Sequence, residues 1–204
     1  MKDFEIRENF HKKILKRHHL CEATLVIDEL GLKHGKCRAD IAVINGHLSG
    51  FEIKSDKDSL VRLTGQINNY NRIFDYSTLI VGTSHIEKAF SIIPPWWGVI
   101  NCTKGKRGAV SFKTIRRAKR NKQTDPKSIA QLLWRNEVEE ILVQHGVSNK
   151  ALRQRRTILY EQLAKYLDTN DLRVAVKSYL KKRTDWRDPE QSFLYDDSCQ
   201  HSSM

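Results

Sequence analysis

The sequence predicts an α/β domain followed by a smaller helical domain, and three observations predict it. In the first half, short runs rich in Val and Ile, bounded by Gly, Asn and Lys clusters, alternate with helical patterns. From about residue 126 the pattern is helical three times over, with no strand between. The 204 residues suffice for one good core with an appendage, since domains usually hold about 100 to 200 residues. The expected organisation is a main domain at 1–117, a basic linker at 118–125, a helical accessory domain at 126–187 and a polar, disordered tail at 188–204.

Residues 3–18 carry Ile6, Phe10 and Ile14 four apart behind Asp3 as a cap, so they should form a helix with one apolar stripe that packs on a sheet. "ATLVIDEL" (23–30), "RADIAVI" (38–44) and "GFEIKS" (50–55) read as three strands. "DSLVRLTGQINNYNRIFDY" spaces Leu60, Leu63, Ile67, Tyr70 and Phe74 by threes and fours, with Asp58 or Ser59 as N-cap, and predicts a second amphipathic helix. The continuous apolar run "TLIVGTS" (78–84) suits a strand covered on both sides by helices. "HIEKAFSII" reads as a short helix, the end of "PPWWGVINC" as a strand, and "AVSFKTI" (109–115) as its hairpin partner. Beyond the linker come "PKSIAQLLWRNEVEEILVQHG", stopped by Gly146, "SNKALRQRRTILYEQLAKYL", capped by Ser148, and "NDLRVAVKSYLKKR", capped by Asn170 or Asp171.

The first twenty residues mix charge throughout, and nowhere is there a run of about 18 apolar residues, so a cytoplasmic protein with no membrane span is expected. Cys21, Cys37, Cys102 and Cys199 are scattered and form no C-x-x-C pair, which argues against a disulfide framework or zinc ribbon. The neighbours His18 and His19 point about 100° apart on a helix and are expected to be solvated rather than to share an ion. Net charge is +12, and the excess is uneven. Residues 1–100 hold 14 Lys/Arg against 12 Asp/Glu, whereas residues 101–204 hold 22 against 12. Residues 104–122 alone hold nine Lys/Arg and no acid. A surplus of this kind attracts a polyanion, because each neutralised phosphate releases counterions. Trp96 and Trp97 are candidates for base stacking or, by the more common use of such pairs, for the core.

The most informative stretch is "RADIAVINGHLSGFEIKSDKDSL" (38–60). Alternation puts Glu52 and Lys54 on one face of a strand, with Phe51 and Ile53 on the other. Asp40 lies on the preceding strand, and register decides whether it joins them. A two-residue turn at Asn45-Gly46 would place Asp40 and Glu52 on opposite faces. A three-residue loop from Asn45 to His47 would pair Ile44 with Leu48 and set the two acids side by side.

Asp40, eleven intervening residues and then Glu52-Ile53-Lys54, within the order α, three β, α, β, resemble the PD-(D/E)XK nuclease superfamily over about residues 3–84. Gln66-x-x-x-Tyr70 on the next helix is similar to the Q-x-x-x-Y signature of its RecB-like and lambda-exonuclease-like branch. Ala39 stands where that pattern has proline, a substitution the superfamily often shows. The resemblance implies a restriction-endonuclease-like core with a mixed sheet flanked by helices. It also implies a Mg²⁺- or Mn²⁺-dependent nuclease in which Asp40 and Glu52 hold the ion and Lys54 orients the attacking water. Glu29 resembles a further acid ligand, with Glu5 and Glu8 as rivals. Gln66 and Tyr70 would position the nucleic-acid strand, although Tyr70 as a core contact is the alternative. Arg38 and Ser55 would touch phosphate or lie on the surface. Some relatives carry an iron–sulfur cluster on four cysteines, one upstream and three clustered downstream; the cysteines here do not follow that spacing, and no cluster is expected.

DNA, in preference to RNA, is the expected substrate. Lys104, Lys106, Arg107, Arg116 and Arg117 are the expected phosphate contacts, with Arg153, Arg155 and Arg156 in reserve. The helical domain is a further place for a protein partner. The rival reading is a non-catalytic nucleic-acid-binding or assembly module that keeps the nuclease fold.

Overall fold

A computed structural model describes residues 1–183. The expected tail at 188–204, and residues 184–187 of the helical region, lie outside the described residues. Six strands form one mixed sheet in sequence order, β1 (Leu25–Leu32), β2 (Cys37–Ile44), β3 (Leu48–Lys54), β4 (Tyr76–Gly82), β5 (Gly98–Lys104) and β6 (Val110–Arg116). β1, β2 and β3 run as an antiparallel meander, β3–β4 and β4–β5 are parallel, and β6 returns antiparallel. Helices cover both faces. Among the described residues no helix is long and apolar enough to cross a membrane.

On one face α1 (Asp3–Lys13) and α2 (Lys16–His19) precede β1, and Ile6 and Phe10 of α1 pack with Ile41, Val43, Ile53, Ile80 and Val110. The expected stripe ends early. Ile14 is exposed and Leu15 takes the buried place, because α1 stops at Lys13 and the N–H groups of both residues turn back to the Phe10 carbonyl. Asp3 opens the helix instead of capping it; the Lys2 N–H bonds Glu5 Oε2 at 2.8 Å.

The other face meets α3 (Leu63–Ile73), α4 (Ile86–Ile92), α5 (Pro126–Ala130), α6 (Arg135–Gln144), α7 (Arg156–Tyr166) and α8 (Thr169–Lys182), all in one apolar cluster. α3 lies close over β3. A Cβ on Gly50 would come within 2.6 Å of the Phe74 ring, so only glycine lets this ring sit on the strand. Neither Asp58 nor Ser59 caps α3. Asp58 Oδ2 accepts from Ser55 N and Ser59 Oγ from Val61 N, so both are spent within the preceding turn.

The helix expected from residue 126 to Gly146 is two helices. Trp134 breaks it as N-cap of α6, with its N–H on Glu137 Oε2, and the Tyr160 hydroxyl donates to the Leu133 carbonyl at 2.8 Å. α7 starts at Arg156 after a short 3-10 turn at Ala151–Arg153, not at Ser148. Asp168 caps α8 through Asn170 N and Asp171 N, the role expected of those two residues themselves.

Residues 117–125 contain no helix or strand, yet they are fastened down. Lys119 N donates to Trp96 O and Asn121 N to Asp75 O, and the buried Asn121 amide donates to the carbonyls of Asn71 and Phe74. Asp75, 2% exposed, also accepts from Leu48 N and lies 3.1 Å from Arg173 of α8, a charge contact without hydrogen-bond alignment. One apolar cluster joins this face of the sheet to the helices, and residues 118–125 are tied to it by hydrogen bonds.

Candidate active site

The β2–β3 hairpin adopts the three-residue loop. Ile44 pairs with Leu48, Val43 with Ser49, Ala42 with Gly50 and Ile41 with Phe51, a register that carries Asp40 to the position opposite Glu52. Asn45 closes the loop by taking the His47 N–H on its side chain and donating its own N–H to the His47 carbonyl. Glu52 and Lys54 then share the face of β3 beneath α3, beside Leu79 and Val81 of β4, while Ile53 joins the α1 face.

This face is not wet. Glu52 is 0% exposed and Lys54 7%. A buried carboxylate is costly unless paired and hydrogen-bonded, and here every demand is met. Lys54 Nζ donates to Glu52 Oε1 at 2.6 Å, and the Tyr70 hydroxyl is 2.8 Å from Oε2. The same Tyr70 oxygen lies 3.1 Å from the Phe51 carbonyl and 3.3 Å from the Asp40 N–H. Asp40 Oδ2 accepts the Ile53 N–H at 2.6 Å. The two acids are thus held from both strands and from α3.

Two carboxylates in so dry a place cannot both ionise cheaply. Burial, and next the neighbouring Glu52, push Asp40 up to about 8. Burial likewise raises Glu52, against the pull of Lys54 and Tyr70. Burial and the two acids lift Tyr70 well above its ordinary value, so its proton stays in place.

Arg7 is the member that sequence reasoning missed. It donates to the Asp40 carbonyl at 2.5 Å, lies 3.7 Å from Asp40 Oδ1 and pairs with Glu29 Oε1 at 2.5 Å. Burial pulls its guanidinium down, but Glu29, Asp3 and Asp40 hold it above its ordinary value. Its place directly after Ile6, on the flank of the buried stripe of α1, was the available signal.

Other expected members fall elsewhere. Glu29, strained at φ 54°, is engaged by Arg7 and stands 3.5 Å from Arg38. Among the described residues no group of three or more His, Cys, Asp and Glu side chains converges to hold a metal, so Glu29 does not complete a set with Asp40 and Glu52. Of the two rivals, Glu5 pairs with Lys104 and Glu8 with Lys12. Tyr70 is 0% exposed and cannot touch a nucleic-acid strand; it grips Glu52 instead. Ser55 is also buried, its hydroxyl accepting from Lys57 N, and is out of reach of phosphate. Arg116 spends its guanidinium on the carbonyls of Trp97 and Pro94 and over the Phe90 ring. Trp97 is core, its indole N–H on Asn71, while Trp96 is half-buried. Lys106, Arg107 and Arg117 are exposed, as expected of phosphate contacts.

The residues that could hold a hard divalent cation are Asp40 and Glu52, oxygen donors on neighbouring strands whose charge Arg7 and Lys54 offset. Gln66, one turn before Tyr70 on α3, holds Oε1 buried with no hydrogen-bond partner among the described residues. Outside this cluster a polar cleft of about 660 Å³ runs along α3, lined by Lys33, Gly65, Asn68, Asn69, Arg72 and Gln123 among others.

A mixed six-stranded sheet flanked by helices, with a buried acid–acid–lysine cluster at the β2–β3 hairpin, defines an α/β protein. The family described as Bacteriophage P4 protein cII matches residues 3–202, and the chain belongs to it. Protein cII of Enterobacteria phage P4 is 28% identical over 185 residues, which span 90% of this chain and 68% of that protein. A protein of unknown function from Silicibacter pomeroyi is similar in structure with a TM-score of 0.38 at 17% identity, over 63% of this chain and 75% of that one.

Proposed function

We propose that this protein is a metal-dependent nuclease that hydrolyses phosphodiester bonds in DNA, on a PD-(D/E)XK core. The observation that carries the reading is the Ile44–Leu48 register, which brings Asp40 opposite Glu52 with Lys54 on the same face. The order α, three β, α, β and the Tyr70 hydroxyl on Glu52 support it.

A Mg²⁺ or Mn²⁺ ion held by Asp40 and Glu52 would lower the pKa of a bound water and polarise the scissile phosphate. Lys54 would orient the attacking water through its ammonium group. The water oxygen bonds to phosphorus and gives up a proton to bulk solvent, the bond to one ester oxygen breaks, and the leaving alkoxide takes a proton from bulk solvent. Arg7 and Tyr70 keep Asp40 and Glu52 in place while charge grows on the phosphate. Lys106, Arg107 and Arg117 hold the polyanion by charge. The cytoplasm, where DNA is within reach, is the proposed compartment.

One observation favours a second reading. Glu52 is fully buried with both oxygens already bonded, which equally suits a sealed core network in a non-catalytic nucleic-acid-binding or assembly module. Incubating the pure protein with linear, circular and single-stranded DNA and with RNA, in Mg²⁺, Mn²⁺ or chelator, separates the two. Metal-dependent cleavage supports the nuclease; binding without cleavage under every condition supports the module.

A further inference from the structure

On the α1 face a second cluster of chemistry-bearing side chains has no part in the proposed reaction. His11 near the end of α1 and His19 at the end of α2 face each other, with His11 Nδ1 and His19 Nε2 2.9 Å apart and their ring centroids 5.1 Å apart. The other nitrogen of His11, Nε2, lies 2.9 Å from Asp28 Oδ1 on β1. The carboxylate can only accept at neutral pH, so it fixes the His11 proton on Nε2 and leaves the Nδ1 lone pair aimed at His19. Lys12, Lys16 and Leu20 complete a cavity of about 460 Å³ lined by the two imidazoles.

We propose that His11 Nδ1 and His19 Nε2 form a binding site for a borderline divalent transition ion such as Zn²⁺ or Co²⁺, with solvent filling the remaining positions. Tetrahedral Zn–N bonds of about 2.0–2.1 Å set two ligand nitrogens about 3.3–3.4 Å apart. An ion needs the nitrogens opened by about 0.4–0.5 Å, both rings turned by about 35° so that their lone pairs meet off the N···N line, and the His19 proton moved from Nε2 to Nδ1; His19, exposed on a four-residue helix, is free to supply the change. Asp28 then serves as the carboxylate behind a ligating imidazole, which orients the ring and raises its basicity. The nearby ammonium groups oppose the cation, but Lys12 is already paired with Glu8. Imidazole pairs select softer ions than the two carboxylates near α3, so the sites differ in preference as well as place. The bound ion would tie α1 and α2 together beside β1.

The test is titration of the full chain with CoCl₂, read by visible absorption, and with ZnCl₂, read by thermal melting, on an Asp40→Asn background that weakens the carboxylate site. Saturable Co²⁺ binding with a d–d spectrum, and a raised melting temperature with Zn²⁺, are expected. His19→Ala, at an exposed position, should abolish both, and Asp28→Asn should weaken Co²⁺ binding about 10-fold or more. Binding unchanged in both His19→Ala and His11→Ala, or no saturable binding in the parent, would overturn the proposal. Loss of DNA cleavage in the Asp40→Asn background bears on the nuclease reading alone and leaves this result readable.

Discussion

Tyr70 and Glu52 meet at 2.8 Å between the buried faces of α3 and β3, and the phenol is the only protein donor to Glu52 Oε2 among the hydrogen bonds of the described residues. Removing it leaves a buried carboxylate oxygen without a partner, which costs about 1–3 kcal/mol. Tyr70→Phe should therefore lower stability by that amount in denaturant titration while the secondary structure stays intact. Cleavage should fall too, since Glu52 loses its orientation. A Phe variant as stable and as active as the parent would show that the phenol neither satisfies nor orients Glu52.

Protons and metal should compete at Asp40. Its folded pKa of about 8 lies above the ordinary 3.8, so between these values the folded state binds the extra proton and stability from this group falls as pH rises. Without metal, the melting temperature of the parent should drop relative to Asp40→Asn between about pH 5 and 8. Mg²⁺ should bind more tightly as pH rises through the same window, because the ligand must be deprotonated. Calorimetric titration at three pH values checks this, and an affinity independent of pH would contradict it.

Cutting the chain at Asp125 should unfold it rather than release a working core. The deletion strips the apolar cover formed by α5 to α8 and leaves Asp75 without Arg173. A milder variant probes packing among the helices themselves. Arg183 pairs with Glu137, side chains 5% and 7% exposed, so Arg183→Ala leaves a buried charge and should cost about 3–5 kcal/mol. Cooperative melting of the 1–125 fragment would show the helices to be an independent unit, and an unchanged Arg183→Ala would show that the Glu137 pair adds nothing to their packing.

DNA binding should depend on exposed cations and not on Arg116, which is committed to the Trp97 and Pro94 carbonyls. Replacing Lys106, Arg107 and Arg117 together by Ala should flatten the slope of log K against log[salt] by roughly 0.9 for each duplex phosphate that is no longer neutralised. Arg116→Ala should instead lower stability. Titrations at four salt concentrations separate the two; an unchanged slope in the triple variant would place the DNA elsewhere.

The sheet was legible because its signals are local. Val- and Ile-rich runs end at Gly and Asn turns, and "NGH" admits the loop that pairs Ile44 with Leu48. The charged face of β3 was legible as a face, but not as a buried one, since the cover comes from α3 through Gly50 and Phe74, more than twenty residues apart. Burial also decided Tyr70 and Ser55, whose types are common on surfaces and in cores alike. Arg7 reaches Asp40 across 33 residues, a distance no periodicity reports. In the helical region, apolar spacing marked the helices, but their breaks were set by tertiary partners such as Tyr160 on the Leu133 carbonyl.

Whether the buried acids do chemistry is decided by one comparison: cleavage of linear duplex DNA in Mg²⁺ by the parent and by Glu52→Gln, Asp40→Asn and Lys54→Ala. Each variant must first be shown to be folded by thermal melting. Cleavage by the parent that chelator stops is expected, with a loss of about 10²-fold or more in each folded variant. A parent that binds DNA but never cuts any nucleic acid with either metal, or a folded Glu52→Gln that cuts at the parental rate, would refute a nuclease centred on Asp40, Glu52 and Lys54.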